Sequence, residues 1–195
     1  MSKTGLLILS NPARVKKYLP VIKNHVLQTL YIQYSPEKKI HQLKTICPNF
    51  MTSIYALATS GLSRIDVRVL ANAKRQIIAT RRPVEVVMFD RKCSPEDGQL
   101  FINKFLSNRT TSCRYISLVN DNEEAVEEER EALEEQVVVY DNVVLGGTFD
   151  RLHNGHKILL TEAVLRSKKK VIVGVTDESM IKGKVLWELI EPCER

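Results

Sequence analysis

Residues 146–157 read Gly146-Gly147-Thr148-Phe149-Asp150-Arg151-Leu152-His153-Asn154-Gly155-His156-Lys157. Two glycines behind an apolar run let a backbone turn tightly and approach a bulky anion. Thr148 offers a hydroxyl. His153 and His156 stand three apart, so in a first helical turn they share a face. Gly155 between them leaves room for a base or a phosphate. A helix opening here adds unsatisfied N–H groups, a ready site for phosphate. Two other readings stand beside this one. Histidines at this spacing could bind a metal, but no third ligand is near in sequence, and no metal site is expected. They could also open a helix and do nothing more. The run of Gly-Gly-Thr-Phe-Asp followed by His-x-Gly-His favours a phosphate or nucleotide.

The flanking residues supply the elements that must position this set. Val143-Val144-Leu145 reads as a buried parallel strand. Ile158–Leu165 carries a helical pattern, with Lys168-Lys169-Lys170 at its end, where cations complement the helix dipole. Val171-Ile172-Val173-Gly174-Val175 reads as a second buried strand. The result is β-turn-α-β, the opening unit of a doubly wound, Rossmann-like parallel sheet.

Upstream, strands are expected at Leu6–Leu9, Thr29–Tyr34, Ile65–Leu70, Val84–Phe89 and Tyr115–Val119, and helices near Ala13–Gln28, Met51–Ser60 and Gly98–Leu106. The order β-α-β-α-β-β-α-β implies an α/β layer. It contains no catalytic constellation. His25 and His41 are isolated, and Lys74, Arg75, Arg81 and Arg82 read as a solvated loop rather than a phosphate site.

Charge separates the two regions. The chain has 195 residues and a net charge of +6. Residues 1–119 hold 19 basic and six acidic residues; residues 120–136 hold nine acidic residues against Arg130; residues 137–195 hold nine basic and eight acidic. Like charges as dense as those of 120–136 favour solvation over packing. We therefore expect an N-terminal α/β domain over 1–119, an acidic linker over 120–136 and a nucleotide-binding region over 137–195. The basic surplus of 1–119 could meet a protein partner or an anionic membrane surface. No zinc finger or RNP-like aromatic pattern points to nucleic acid.

No apolar stretch reaches the roughly 18–20 residues that span a bilayer. Cys47, Cys93, Cys113 and Cys193 form no CxxC pair and read as reduced thiols. The first 36 residues lack Asp and Glu, as in a mitochondrial transit peptide. Leu6–Leu9 followed by Pro12 favours a first strand and a turn instead. The expected location is cytoplasmic, with association with mitochondria left open.

Gly147-Thr148-Phe149-Asp150 with His153-Asn154-Gly155-His156 resembles the signature of the HxGH nucleotidyltransferase superfamily. Residues 146–157, with Lys182-Gly183-Lys184-Val185-Leu186-Trp187-Glu188-Leu189-Ile190-Glu191-Pro192, resemble more closely the phosphopantetheine adenylyltransferase domain of animal bifunctional coenzyme A synthase. The specific match covers about residues 141–195; residues 1–119 agree with that family in layout only.

The resemblance implies transfer of the adenylyl group of ATP to 4′-phosphopantetheine, with Mg²⁺ bridging the triphosphate. It implies that His156 and His153 face the ATP phosphates and that Thr148 orients the attacking phosphate. One of Lys182 and Lys184 neutralises charge. Gly146, Gly147, Thr148, Phe149, Asp150 and Gly155 form the phosphate cradle, with Asp150 either part of it or structural. The family's domain continues beyond a segment like this one, so the chain is expected to be truncated and weak or inactive alone. No G-x-x-x-x-G-K-[ST] is present, so kinase activity is not expected. The alternatives are another cytidylyl- or adenylyltransferase and a non-catalytic interaction module.

Overall fold

The computed structural model describes residues 1–11, 14–35, 48–70, 77–119 and 138–190. Pro12, His41, Cys47, Lys74, Arg75, the acidic segment 120–136, Glu191, Pro192 and Cys193 lie outside the described residues. The chain divides into two compact units, Met1–Leu133 and Glu134–Arg195.

The first unit is α/β. Its elements are β1 (Ser2–Leu9), α1 (Val15–Lys23), β2 (Val26–Tyr34), α2 (Pro48–Gly61), β3 (Asp66–Val69), β4 (Val84–Phe89), α3 (Pro95–Phe105) and β5 (Arg109–Ser117). The strands form one parallel sheet in the order β3-β2-β1-β4-β5. β1 is central, which is why Leu6–Leu9 is fully apolar: a strand covered on both faces needs no polar alternation. Leu6 and Ile8 face a cluster with Tyr31, Val87, Phe89, Phe101, Ile102 and Phe105. Phe89 and Phe101 meet edge to face at 5.3 Å. The cluster also takes in half-buried Cys93 and Cys113, whose thiol pKa values burial pushes up. Both cysteines are free thiols.

Most elements start or end a few residues from expectation, and three of the differences have a clear physical reason. α1 ends at Lys23, not Gln28. Val26, Leu27 and Gln28 instead open β2, where parallel pairing begins at Ser2↔Val26. α3 starts at Pro95, earlier than Gly98: the Ser94 hydroxyl accepts the Asp97 N–H at 3.1 Å, Pro95 occupies the first turn, and Glu96 and Asp97 complement the dipole. β5 spans Arg109–Ser117 rather than Tyr115–Val119. Its first half, Arg-Thr-Thr-Ser-Cys, is polar because β5 is an edge strand, so its pairing with β4 rests on backbone bonds without an apolar signature. Arg82 is no loose cation. Its guanidinium donates to Thr29 Oγ1 at 3.0 Å and its N–H to the Tyr31 hydroxyl at 3.2 Å.

The second unit is built on β6 (Tyr140–Gly147), α4 (Asn154–Arg166) and β7 (Ser167–Val175), followed by the short helix α5 (Glu178–Ile181) and a 3-10 turn at Trp187–Leu189. β6 and β7 are parallel, from Tyr140↔Ser167 to Gly147↔Val175, so this is the expected βαβ. Two expectations fail. Lys168–Lys170 do not end the helix, because α4 gives way to β7 at Ser167 and its last turn carries Arg166 instead. The strands are not buried: Val144 is 71% exposed, and Ile172, Val173 and Val175 are exposed as well. Among the described residues α4 covers this two-stranded sheet, and Ala163 and Ile181 are the unit's only buried apolar residues. Among the described residues no helix is long and apolar enough to cross a membrane.

Candidate functional site

The βαβ register decides what meets at the carboxyl end of this sheet. Gly147 pairs with Val175, so the residues that leave the two strands, Thr148 and Thr176, become neighbours. Their hydroxyl oxygens are 3.4 Å apart, and the Thr176 N–H donates to the Gly147 carbonyl at 3.0 Å. Lys184, beyond α5, donates its ammonium to Thr148 Oγ1. Of the two lysines the sequence singles out, Lys184 joins the site. Lys182 is the exposed C-cap residue of α5. Thr176 is the residue the sequence reading missed. Its signal lay in strand pairing, since 28 positions separate it from Thr148.

The turn from β6 to α4 brings the two histidines together. His153 is the N-cap residue of α4 by backbone angle, yet its side chain makes no capping bond. It stacks on His156 instead, ring centroids 3.9 Å apart. The Arg151 carbonyl ties both: it accepts the His153 N–H at 2.9 Å and faces His156 Nδ1 at 3.0 Å. A carbonyl only accepts, so His156 Nδ1 carries the proton there. The Phe149 ring lies 4.9 Å from the His156 ring, tilted by 44°, so His156 meets both Phe149 and His153.

The glycines do not supply a left-handed turn. None of them has positive φ; the left-handed residue in the turn is Phe149, at φ 51°. A Cβ on Gly147 would lie 2.9 Å from the Phe149 ring, and one on Gly155 would lie 3.1 Å from the His153 ring. These two glycines therefore make room for the aromatic stack. Gly146 is less constrained, a Cβ there meeting only the Gly174 carbonyl at 3.7 Å. Asp150 caps the turn, its carboxylate accepting the Arg151 N–H at 2.8 Å.

The arrangement gathers a lysine ammonium, a threonine hydroxyl, two stacked imidazoles and a helix N-terminus at one sheet end, a donor set suited to phosphate oxygens. Among the described residues no three His, Cys, Asp or Glu side chains cluster to hold a metal ion.

Residues 144–195 match the cytidylyltransferase-like family. The matched stretch contains Thr148, His153, His156, Thr176, Lys182 and Lys184. Over 50 residues the chain is 44% identical to the phosphopantetheine adenylyltransferase of Saccharomyces cerevisiae, a match covering 26% of this chain and 16% of the relative. Over 56 residues it is 50% identical to that of Pyrococcus abyssi, covering 29% of this chain and 35% of the relative. The Thermococcus gammatolerans protein of the same name is 51% identical over 55 residues, 28% of this chain and 34% of its own length. The chain thus spans 16% to 35% of the length of these curated relatives. No solved structure matches it.

Proposed function

We propose that the second unit is a nucleotidyltransferase site that takes Mg·ATP and 4′-phosphopantetheine and yields dephospho-coenzyme A and pyrophosphate. The carrying observation is that Lys184 reaches Thr148 at the end of β6, where the turn that carries the stacked His153 and His156 begins. The relatives' names add the substrate class.

In this reaction an oxygen of the acceptor phosphate attacks the α-phosphorus of ATP in line. The bond from that phosphorus to the bridging oxygen breaks, and pyrophosphate leaves with the electron pair. No covalent enzyme nucleophile is needed. The work is positioning and charge neutralisation. Lys184 supplies a fixed cation. Because Thr148 Oγ1 accepts from Lys184, its own proton is available to donate to a phosphate oxygen. His156, held at Nδ1 by the Arg151 carbonyl, presents Nε2, which as imidazolium donates to phosphate. His153 keeps that ring in place by stacking and lends a second imidazole to the same anion. The magnesium ion enters with the triphosphate as part of the substrate.

Calorimetric titration with Mg·ATP, of the native chain and of His156→Ala, tests this. Saturable binding that the variant loses is expected. A native chain that takes up no Mg·ATP, or a variant that binds as well, overturns it. The matched family's description also admits a cytidine nucleotide, and Mg·CTP binding more tightly than Mg·ATP would transfer the proposal to cytidylyl chemistry.

A further inference from the structure

The Thr176 side chain has one polar partner, the hydroxyl of Thr148. Its backbone N–H donates to the Gly147 carbonyl at 3.0 Å, which carries the β6–β7 pairing one step past Gly147↔Val175. The backbone of Thr176 is thereby fixed against the end of β6. Its side chain is half-buried, and a β-branched side chain on a fixed backbone has few rotamers to choose from. The two hydroxyl oxygens lie 3.4 Å apart. Among the described residues Thr176 makes no other side-chain bond, and Thr148 makes only this one and the one from Lys184.

A hydroxyl has one proton and two lone pairs. The Lys184 ammonium can only donate, so it fills one lone pair of Thr148 Oγ1. That leaves two ways to share a proton between the threonines. If Thr148 donates to Thr176, its proton is spent inside the protein and none is left for an anion. If Thr176 donates to Thr148, both lone pairs of Thr148 are filled and its proton points away from both partners. A phosphate oxyanion accepts and does not donate, so its arrival selects the second arrangement. Thr148 is also the only side-chain acceptor among the described residues that the Thr176 proton can reach.

We propose that Thr176 is a positioning residue of this site: its hydroxyl donates to Thr148 and turns the Thr148 proton outward, to the substrate phosphate. The inference rests on the transferase reading and adds a part to it. Lys184 and Thr176 act from two sides on one oxygen, so Thr148 meets the phosphate as a pre-aimed donor instead of a rotor that must be oriented on binding. Such preorganisation is what a site for charge stabilisation requires. Thr176 itself does not touch the substrate, and its effect passes wholly through Thr148.

Calorimetric titration of the full chain with Mg·ATP and with 4′-phosphopantetheine tests the proposal. Thr148→Val identifies the phosphate that Thr148 holds and should weaken that ligand by about tenfold. Thr176→Val keeps the volume and the backbone bond. It should weaken the same ligand by about threefold to tenfold, the range of one hydrogen bond, with the melting temperature unchanged. Thr176→Ser returns the hydroxyl and should bind within about twofold of the native chain. In the Thr148→Val background, Thr176→Val should cost less than about a further twofold, because the two residues act as a unit. Thr176→Val binding as well as the native chain overturns the proposal, and so does tighter binding, which would mean that Thr176 takes the Thr148 proton. Losses that add in the double variant, or that Thr176→Ser does not restore, overturn it by making Thr176 a separate contact or a packing residue. Thr148→Val that weakens neither ligand overturns it as well. If the native chain binds neither ligand, the transferase reading falls and this inference with it. Native binding that Thr176→Val leaves intact removes this inference alone.

Discussion

His153 and His156 stack at 3.9 Å with their ring planes 25° apart, and the glycine between them is what permits it. An alanine Cβ at position 155 would sit 3.1 Å from both Nδ1 and Cε1 of His153, tighter than ordinary van der Waals contact. The neighbour that must yield is a ring at the end of a rotatable side chain, not a backbone.

Gly155→Ala therefore separates stability from binding. Alanine in the first turn of α4 favours the helix by up to about 1 kcal/mol over glycine, so the variant should melt no lower than the native chain. Its Mg·ATP affinity should fall by about tenfold, the equivalent of one charge-assisted contact misplaced. Calorimetry and a thermal melt on the same sample check both. An unchanged affinity would mean that the histidine pair has no part in phosphate binding.

The two lysines should differ. Lys184 reaches Thr148 Oγ1, whereas Lys182 ends α5 in solvent. Lys184→Ala should lower Mg·ATP affinity by at least about tenfold. Lys182→Ala should change it by less than about threefold, as for an exposed charge acting across solvent. The reverse order would move the cation of the site from Lys184 to Lys182.

Much of this site was legible before any coordinates because its parts are local. Gly147 to Lys157 is one turn, and a turn followed by an apolar helix declares its own geometry. The choice between Lys182 and Lys184 was not legible, since either could lie on the outer side of the turn after α5. Thr176 was invisible for a related reason: only parallel pairing of β6 with β7 makes it a neighbour of Thr148. In the first unit the order of elements followed from apolar runs bounded by Pro, Ser and Asp, and so did the end of β5, but not its first half. An edge strand is held by backbone bonds, and Arg109–Cys113 carries no apolar signature to announce it. The strand burial expected of Val143–Leu145 and Val171–Val175 failed because an apolar run reports what a strand can bury against, not what covers it.

Gly98 reports on packing between α3 and β5. It is buried on α3, and a Cβ there would come within 2.6 Å of the Tyr115 ring. Gly98→Ala should destabilise the first unit by about 1–3 kcal/mol through overpacking, despite the better helix propensity of alanine. Phe101→Ala removes a ring that contacts both Phe89 and Phe105 and should cost about 3–5 kcal/mol. Urea denaturation followed by amide signals of β1 and β4 measures both. A Gly98→Ala variant more stable than the native chain would show that α3 and Tyr115 are free to separate.

Asp90 gives the first unit a pH dependence of definite sign. Its carboxyl pKa is raised above the ordinary 3.8 by burial, against the opposing pull of the Asn11 and Ser10 N–H groups and of Arg14. The folded state thus holds the proton more tightly than the unfolded chain does. In the window between the ordinary and the raised value the native state binds more protons, so stability falls as pH rises through it. The contribution is fully present below the ordinary value and lost above the raised one. Asp90→Asn keeps an oxygen to accept one of the two N–H groups and has no charge to bury. As pH rises above the ordinary carboxyl range the native chain should lose stability relative to Asp90→Asn, and the other carboxylates cancel in the difference. Urea midpoints of the two proteins through that rise, read from amides of β1 and β4, provide the check. A difference that stays flat, or that moves in the native chain's favour as pH rises, would mean that the N–H groups of Ser10 and Asn11 outweigh burial and that Asp90 is held as a stabilised anion.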